Sequence, residues 1–283
     1  MVGPRRLGSA VNRGFTVMGV VNVTPDSFSD GGEFLDPDAA IAHGIQLAAD
    51  GAAILDIGGE STRPGAEPVP EAEELRRTIP VVQGLAAENS AWEISIDTTK
   101  AAVAQAALEV GAAIVNDVSA FRHDPEMAGL VAERRATCCL MHMLGEPRTM
   151  QADPRYDDVV SDVRSFLEER LAFAVAEGVA EENVWLDPGI GFGKTVEHNL
   201  ELLRRLDEIA AIGRPVVIGT SRKSFLGRIT GGRGEGGRLP GTIATNVLAL
   251  ERGARIFRVH DVTQVRDALT VAAATVNLPE EDG

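Results

Sequence analysis

Hydrophobic positions fall along the chain in short unbroken runs, and each run ends in a polar loop that leads into an amphipathic stretch. The first is Val17-Met-Gly-Val-Val21, which breaks at Asn22 into Thr-Pro-Asp-Ser-Phe-Ser-Asp-Gly-Gly. A continuous run, unlike an alternating one, marks a strand buried on both faces. Similar runs recur at 53–58, 93–97, 113–117, 137–142, 184–188, 215–219 and 255–260. Between them, helices are predicted at 38–50, 70–88, 100–110, 127–134, 156–177, 196–212 and 262–276. A glycine-rich stretch at 231–237 reads as a flexible surface loop between helical pieces. It follows no strand directly and lacks a GK[ST] ending, which argues against a phosphate loop.

Strands that alternate with helices predict a parallel sheet closed by crossovers, and eight such repeats suggest an α/β fold of the (β/α)8 or TIM-barrel type. A doubly wound open sheet is the alternative. Polar residues recur at nearly every strand's C-terminal end, whereas an open sheet gathers them at one switch point, so the barrel is preferred. The expected division is an extension at 1–14, a single barrel domain at 15–277 and an acidic tail at 278–283.

Composition narrows this further. Of the 283 residues 44% are hydrophobic but 4% aromatic, so the core must be aliphatic. A net charge of −15 disfavours nucleic acid and anionic membranes as partners, and an anionic substrate would need a local positive cluster. Cys138 and Cys139 are adjacent inside an apolar run and read as core filler. No apolar segment marks a secretory signal near the start, and no run is long enough to span a membrane; a cytoplasmic location is expected.

A barrel would bring Asn22, Thr62, Arg63, Asp97, Asn116, Asp187, Lys223, Arg258 and His260 to one rim. Asp97, Asn116 and Asp187 offer acceptors and an amide, which suit a planar heterocycle with several N–H donors. The plainer reading is that backbone groups or Lys223 satisfy the carboxylates, since a buried charge is costly without a partner. Asn22, Arg63, Arg258 and His260 suit a phosphate or diphosphate, and Asn22 suits a Mg2+ held mainly by water and phosphate oxygens. For Arg258 the plainer reading is an ion pair inside the barrel, for His260 a strand cap, and for Lys223 a salt bridge to Asp187. His43, His123 and His198 read as surface residues. No serine–histidine–aspartate order and no zinc spacing stands out, which argues against covalent catalysis and a zinc site.

The stretches Asn22-Val-Thr-Pro-Asp-Ser-Phe-Ser-Asp-Gly-Gly32, Gly58-Gly-Glu-Ser-Thr-Arg-Pro-Gly65, Ser95-Ile-Asp-Thr98, Asn116-Asp-Val-Ser119, Leu186-Asp-Pro-Gly-Ile-Gly-Phe-Gly-Lys194, Ser221-Arg-Lys-Ser224 and Arg258-Val-His-Asp261 closely resemble the dihydropteroate synthase family, in the family's order. The stretches 142–156 and 231–237 carry no information in that comparison. The resemblance implies a barrel enzyme of folate biosynthesis, a transferase and sulfonamide target. It would join (7,8-dihydropterin-6-yl)methyl diphosphate to 4-aminobenzoate, with Mg2+, as a homodimer. By match, Asp97, Asn116, Asp187 and Lys223 would hold the pterin, with Val118, Met141 and Phe192 on the pocket wall and Gly219 among the substrate contacts. Asn22, Arg63, Arg258 and His260 would hold diphosphate and metal. Phe28, Thr62, Pro64, Phe192, Lys223 and Ser224 would enclose 4-aminobenzoate. Within this set Asn22, Asp97, Lys223, Arg258 and His260 are the expected catalytic group. A methyltetrahydrofolate-dependent methyltransferase would share the pterin pocket but has no use for a diphosphate cluster. A catalytically silent pterin-binding relative is the other alternative. A phosphosugar enzyme would want a glycine-rich phosphate site after the last two strands, where Lys and Arg stand instead.

Overall fold

The apolar runs become strands because the chain can bury both faces of each one: the inner against the other strands, the outer against helices. In the computed structural model, which describes residues 14–24, 36–62, 65–88, 91–145 and 149–276, these strands are β1 (Thr16–Asn22), β2 (Ile54–Gly58), β3 (Glu93–Asp97), β4 (Ile114–Asp117), β5 (Thr137–Met141), β6 (Val184–Asp187), β7 (Val216–Ile218) and β8 (Ala254–Val259). They pair in parallel and in sequence order, and β1 pairs with β8 to close the barrel. The crossovers carry α1 (Pro37–Ala49), α2 (Glu71–Ala87), α3 (Ala101–Val110), α4 (Met127–Arg134), α5 (Val159–Ala176), α6 (Val196–Arg204), α7 (Leu206–Ala210), α8 (Ser224–Ile229), α9 (Leu239–Glu251) and α10 (Val262–Thr275). The extension before Gly14 and the acidic tail fall outside the described residues.

Two predicted helices differ from their sequence reading. The one expected at 156–177 begins only at Val159, because the Asp158 side chain accepts the Ser161 N–H and caps it there. The one expected at 196–212 is two helices. Arg205 leaves helical dihedrals (φ −111°, ψ 31°), and its guanidinium reaches Asp158 on one side and Glu208 on the other.

The period of two along each strand sorts the side chains. Val17, Val21, Leu55, Ile57, Ile94, Ile96, Val115, Leu140, Leu186, Ile218 and Phe257 point outward into the core shared with the helices. Met18, Ile54, Ile114, Cys139, Trp185, Val217 and Ile256 form a separate layer inside the barrel. Two residues further along, the inward position is Asp56 on β2, Asn116 on β4, Met141 on β5, Asp187 on β6 and Arg258 on β8, while β3 contributes Asp97. The barrel interior is thus apolar at its closed end and polar at its C-terminal mouth. Cys138 and Cys139 are free and buried on opposite faces of β5, and burial raises both thiols above their usual pKa, as expected of core filler. No helix among the described residues is long and apolar enough to cross a membrane.

Candidate active site

The floor of the mouth is an ion cluster. Arg258 Nε donates to Asp56 Oδ2 at 2.6 Å, and a second guanidinium nitrogen donates to Asp97 Oδ2 at 2.7 Å. Asn116 Nδ2 donates to the same Asp56 oxygen at 3.2 Å. Asp56 is fully buried and its Oδ1 has no hydrogen-bond partner, which leaves one acceptor for a ligand N–H. Burial drives the Asp97 carboxyl well above the usual carboxylate range, and the Arg258 guanidinium opposes that rise. One cation therefore serves two carboxylates, and the barrel-interior ion pair foreseen for Arg258 is present.

Beside this floor lies a platform made by the loop Gly189-Ile-Gly-Phe-Gly-Lys194. Its three glycines adopt left-handed backbone (φ 67°, 86° and 62°), which glycine allows at little cost. Asp187 Oδ1 accepts the Gly189 N–H at 2.7 Å and starts the turn. Lys223 stretches over the loop: its Nζ donates to the Ile190 carbonyl and sits 4.6 Å from the centre of the Phe192 ring. The plainer reading for Lys223, a direct salt bridge to Asp187, is not what forms. The carboxylate is committed to the turn and acts on the ammonium only through space. Burial lowers the Lys223 pKa to about 8, against the pull of the Asp187 charge. Asp187 itself is raised by burial and held down chiefly by Lys223. A Cβ at Gly191 would come within 2.9 Å of the Lys223 stem, and one at Gly219 within 3.8 Å of its Nζ.

Gly189 has less freedom still. An added Cβ would lie 1.8 Å from the His142 carbonyl oxygen, a backbone atom that cannot step aside. Gly189→Ala should therefore cost roughly 2–4 kcal/mol through clash and backbone strain. Thermal unfolding reads this, and a melting point within a degree of the parent would contradict it.

Val118, Met141, Met143 and Met150 form an apolar wall, and Phe192 packs against it. Met143 and Met150 come from the stretch 142–156, which carried no signal in sequence. At the far side, Ser221 Oγ accepts the His260 backbone N–H at 3.1 Å and lies 2.9 Å from its Nδ1. Arg222, with φ 57°, forks onto Asp261 at 3.0 and 2.6 Å and ties the loop after β7 to the end of β8. Lys100 bridges Glu60 and the buried Glu74, and Arg77 donates to the Gly59 carbonyl at 2.9 Å; together they anchor the base of the loop after β2.

The family described as pterin binding enzyme matches residues 18–260. A dihydropteroate synthase of Mycobacterium leprae is 50% identical over 265 residues, 91% of this chain and 92% of its own. The chain belongs to the dihydropteroate synthases. Among solved members, the Xanthomonas albilineans enzyme with 4-aminobenzoic acid is 48% identical, superposes with a TM-score of 0.87, and covers 93% of this chain and 94% of its own. The same organism's dihydropteroate synthase in complex with 7,8-dihydropteroate is 45% identical with a TM-score of 0.83, at 93% and 94% coverage.

Against this dihydropteroate synthase frame, the barrel brings Asp97, Asn116, Asp187, Lys223, Arg258 and Gly219 together around one mouth, with Val118, Met141 and Phe192 on its wall. Asn22 ends β1 opposite Gly58 of β2, and Thr62 follows β2 as a half-buried residue. Ser224 is exposed at the start of α8. Phe28, Arg63 and Pro64 lie outside the described residues. His43 and His123 are exposed, as foreseen. His198 is not a loose surface residue: with Thr195 it forms a reciprocal cap on α6, and its ring meets Tyr156 edge-on at 5.0 Å. Sequence reading passed over Asp56, although a carboxylate inside Ala53-Ile-Leu-Asp-Ile-Gly58 was a visible signal. It also passed over Lys194 and His142.

Proposed function

We propose that this dihydropteroate synthase joins (7,8-dihydropterin-6-yl)methyl diphosphate to 4-aminobenzoate at the barrel mouth, with the residues divided between two subsites. The observation that carries the reading is the polar layer over the apolar barrel floor. There Asp56, Asp97, Asn116 and Asp187 present acceptors and an amide around one arginine and one lysine, beside an apolar wall. An aminopyrimidinone ring, apolar on its faces and rich in N–H groups on its edge, matches that surface. Lys223 would donate to a ring carbonyl or nitrogen while Phe192 packs against the ring face.

The chemistry needs no protein nucleophile. The bond from the pterin methylene to diphosphate breaks first, and the ring delocalises the positive charge left on carbon. The amine of 4-aminobenzoate then forms the new C–N bond and loses its extra proton to diphosphate or water. Arg63, Arg258 and His260 would take up charge growing on the leaving group, and each well-placed donor is worth a few kcal/mol, of order 3. The loop after β1, with Phe28, would cover the cation so that the amine rather than water attacks. Asn22 offers one amide oxygen, and no carboxylate cluster that could hold a metal is present among the described residues. That donor set fits Mg2+ bound mostly by water and phosphate oxygens, and the ion when bound would neutralise diphosphate charge. Homodimer formation belongs to the same proposal and rests on family resemblance; work in the cytoplasm belongs to it as the expectation drawn from the sequence.

Purified protein with Mg2+, the pterin diphosphate and 4-aminobenzoate should yield dihydropteroate by mass spectrometry, and no product from folded protein would overturn the reading. Phe28→Ala should mainly raise KM for 4-aminobenzoate, and an equal rise for both substrates would argue against two subsites. The alkaline side of the pH profile offers a further check. Deprotonation strips Lys223 of its positive charge and weakens its hydrogen bond to the ring, so kcat/KM for the pterin should fall with a midpoint near pH 8. A flat profile to high pH in the parent, or an unmoved limb in Lys223→Arg, would count against that role.

A further inference from the structure

The platform loop is held by more than its glycines. Each of its successive carbonyls takes a hydrogen from a different donor. The Gly189 carbonyl accepts from the Phe192 N–H at 3.1 Å. Ile190 accepts from Lys223 Nζ, and Gly191 from Gln151 Nε2 at 2.6 Å. Phe192 accepts from Lys194 Nζ at 3.0 Å, and Gly193 from the Tyr156 hydroxyl at 2.8 Å. The Gly191 N–H, in turn, donates to Asn199 Oδ1 at 2.6 Å. Lys194 is the unusual member. It is 3% exposed, and its Nζ also lies 2.9 Å from Nδ1 of His142 at the end of β5. Burial drives the His142 pKa down to about 2 and the Lys194 pKa well below its ordinary value. A neutral imidazole can accept from an ammonium or donate to an amine, so this strut between the β5 and β6 loops holds in either state. His142 is itself pinned by ring contacts with Phe166 at 4.8 Å and Tyr156 at 6.0 Å.

We propose that Lys194 and Tyr156 are positioning residues for the reaction: they grip the Phe192 and Gly193 carbonyls so that the Phe192 ring stays against the Lys223 ammonium. The loop between β5 and α5, which supplies Tyr156 and Gln151, thereby sets the shape of a platform that β6 and β7 carry. A free loop of three left-handed glycines would sample many backbone states, and ordering it on each binding event would weaken capture of the pterin. The grip removes that cost before the ligand arrives. The inference rests on the proposed pterin site, and its structural half can be tested apart from it.

Full-length Tyr156→Phe and Lys194→Met are compared with the parent by steady-state kinetics, a pH profile and hydrogen exchange over 189–195. Tyr156→Phe deletes one hydroxyl with no loss of ring packing, so it reports even if Lys194→Met fails to fold. The expected result is faster exchange across the loop in both variants. In kinetics, kcat/KM for the pterin diphosphate should fall about three- to tenfold in Tyr156→Phe and more than thirtyfold in Lys194→Met. Lys223 is faced by Asp187, Arg258 and Lys194, and a looser loop admits water to it. The alkaline limb should therefore move up by at least half a pH unit in Tyr156→Phe, a change that lower stability alone would not produce. Folded variants with parental constants and an unmoved limb would overturn the proposal, as would slower turnover with unchanged loop exchange. Should the parent itself make no dihydropteroate, the functional reading fails, and the exchange comparison still decides whether these two side chains hold the loop.

Discussion

Replacing Arg258 with Met should cost the folded state about 3–5 kcal/mol, because it leaves two buried carboxylates facing each other without their cation. Arg258 links Asp56, which is fully buried, to Asp97 through bonds of 2.6 and 2.7 Å. The methionine stem keeps most of the arginine's packing, so the loss reports charge rather than volume. The pH dependence gives the sign. Asp97 already holds its proton more tightly folded than unfolded, and removing the guanidinium that opposes this must raise its pKa further. A carboxyl whose folded pKa lies above its unfolded one stabilises at low pH and loses that contribution as pH rises through the folded value. The deficit of Arg258→Met should thus be largest near pH 8 and shrink toward pH 5. Denaturant unfolding at several pH values measures it, and a deficit independent of pH would refute the shared-cation account.

Asp97→Asn is expected to have the largest functional effect with little structural cost. Arg258 keeps Asp56 as its partner, so the buried charges come into balance instead of out of it. Stability should stay within about 1 kcal/mol of the parent at pH 8, since the burial cost of one carboxylate is removed. Pterin affinity should drop at least 100-fold. A site built to accept N–H groups rejects a ligand when an amide turns its own N–H toward it, as discrimination by buried polar groups generally shows. Titration calorimetry with a pterin ligand, alongside a melting curve, separates the two quantities. Retained affinity would remove Asp97 from the pterin subsite, whereas a large loss of stability would mean that Arg258 depends on both carboxylates.

How much of this was legible before the structure differs by residue. Asp97, Asn116 and Asp187 stand at the ends of apolar runs, where a polar residue in a period-two pattern has few explanations, and they do converge. Arg258 was legible as a choice between an interior ion pair and an anion contact, and the geometry shows the first directly. Asp56 was overlooked because a single acidic residue within an apolar strand does not announce its partner, which lies 202 residues away. Lys194 and Tyr156 were not legible as a pair. Their roles depend on carbonyl oxygens, which every residue carries and no side-chain pattern records.

By itself the sequence determined the repeat of buried strands and covering helices, the barrel that follows from eight of them, and the residues that end the strands. It could do so because burial on both faces forces continuous apolar runs, and crossover chirality leaves few ways to close them. Only the tertiary structure decided which charges share a cation, why Asp187 serves the turn at Gly189 rather than Lys223, and what holds the platform loop. Those outcomes depend on contacts of 2.6 to 3.2 Å between groups mostly far apart in the chain, and on backbone atoms that are the same for every residue type.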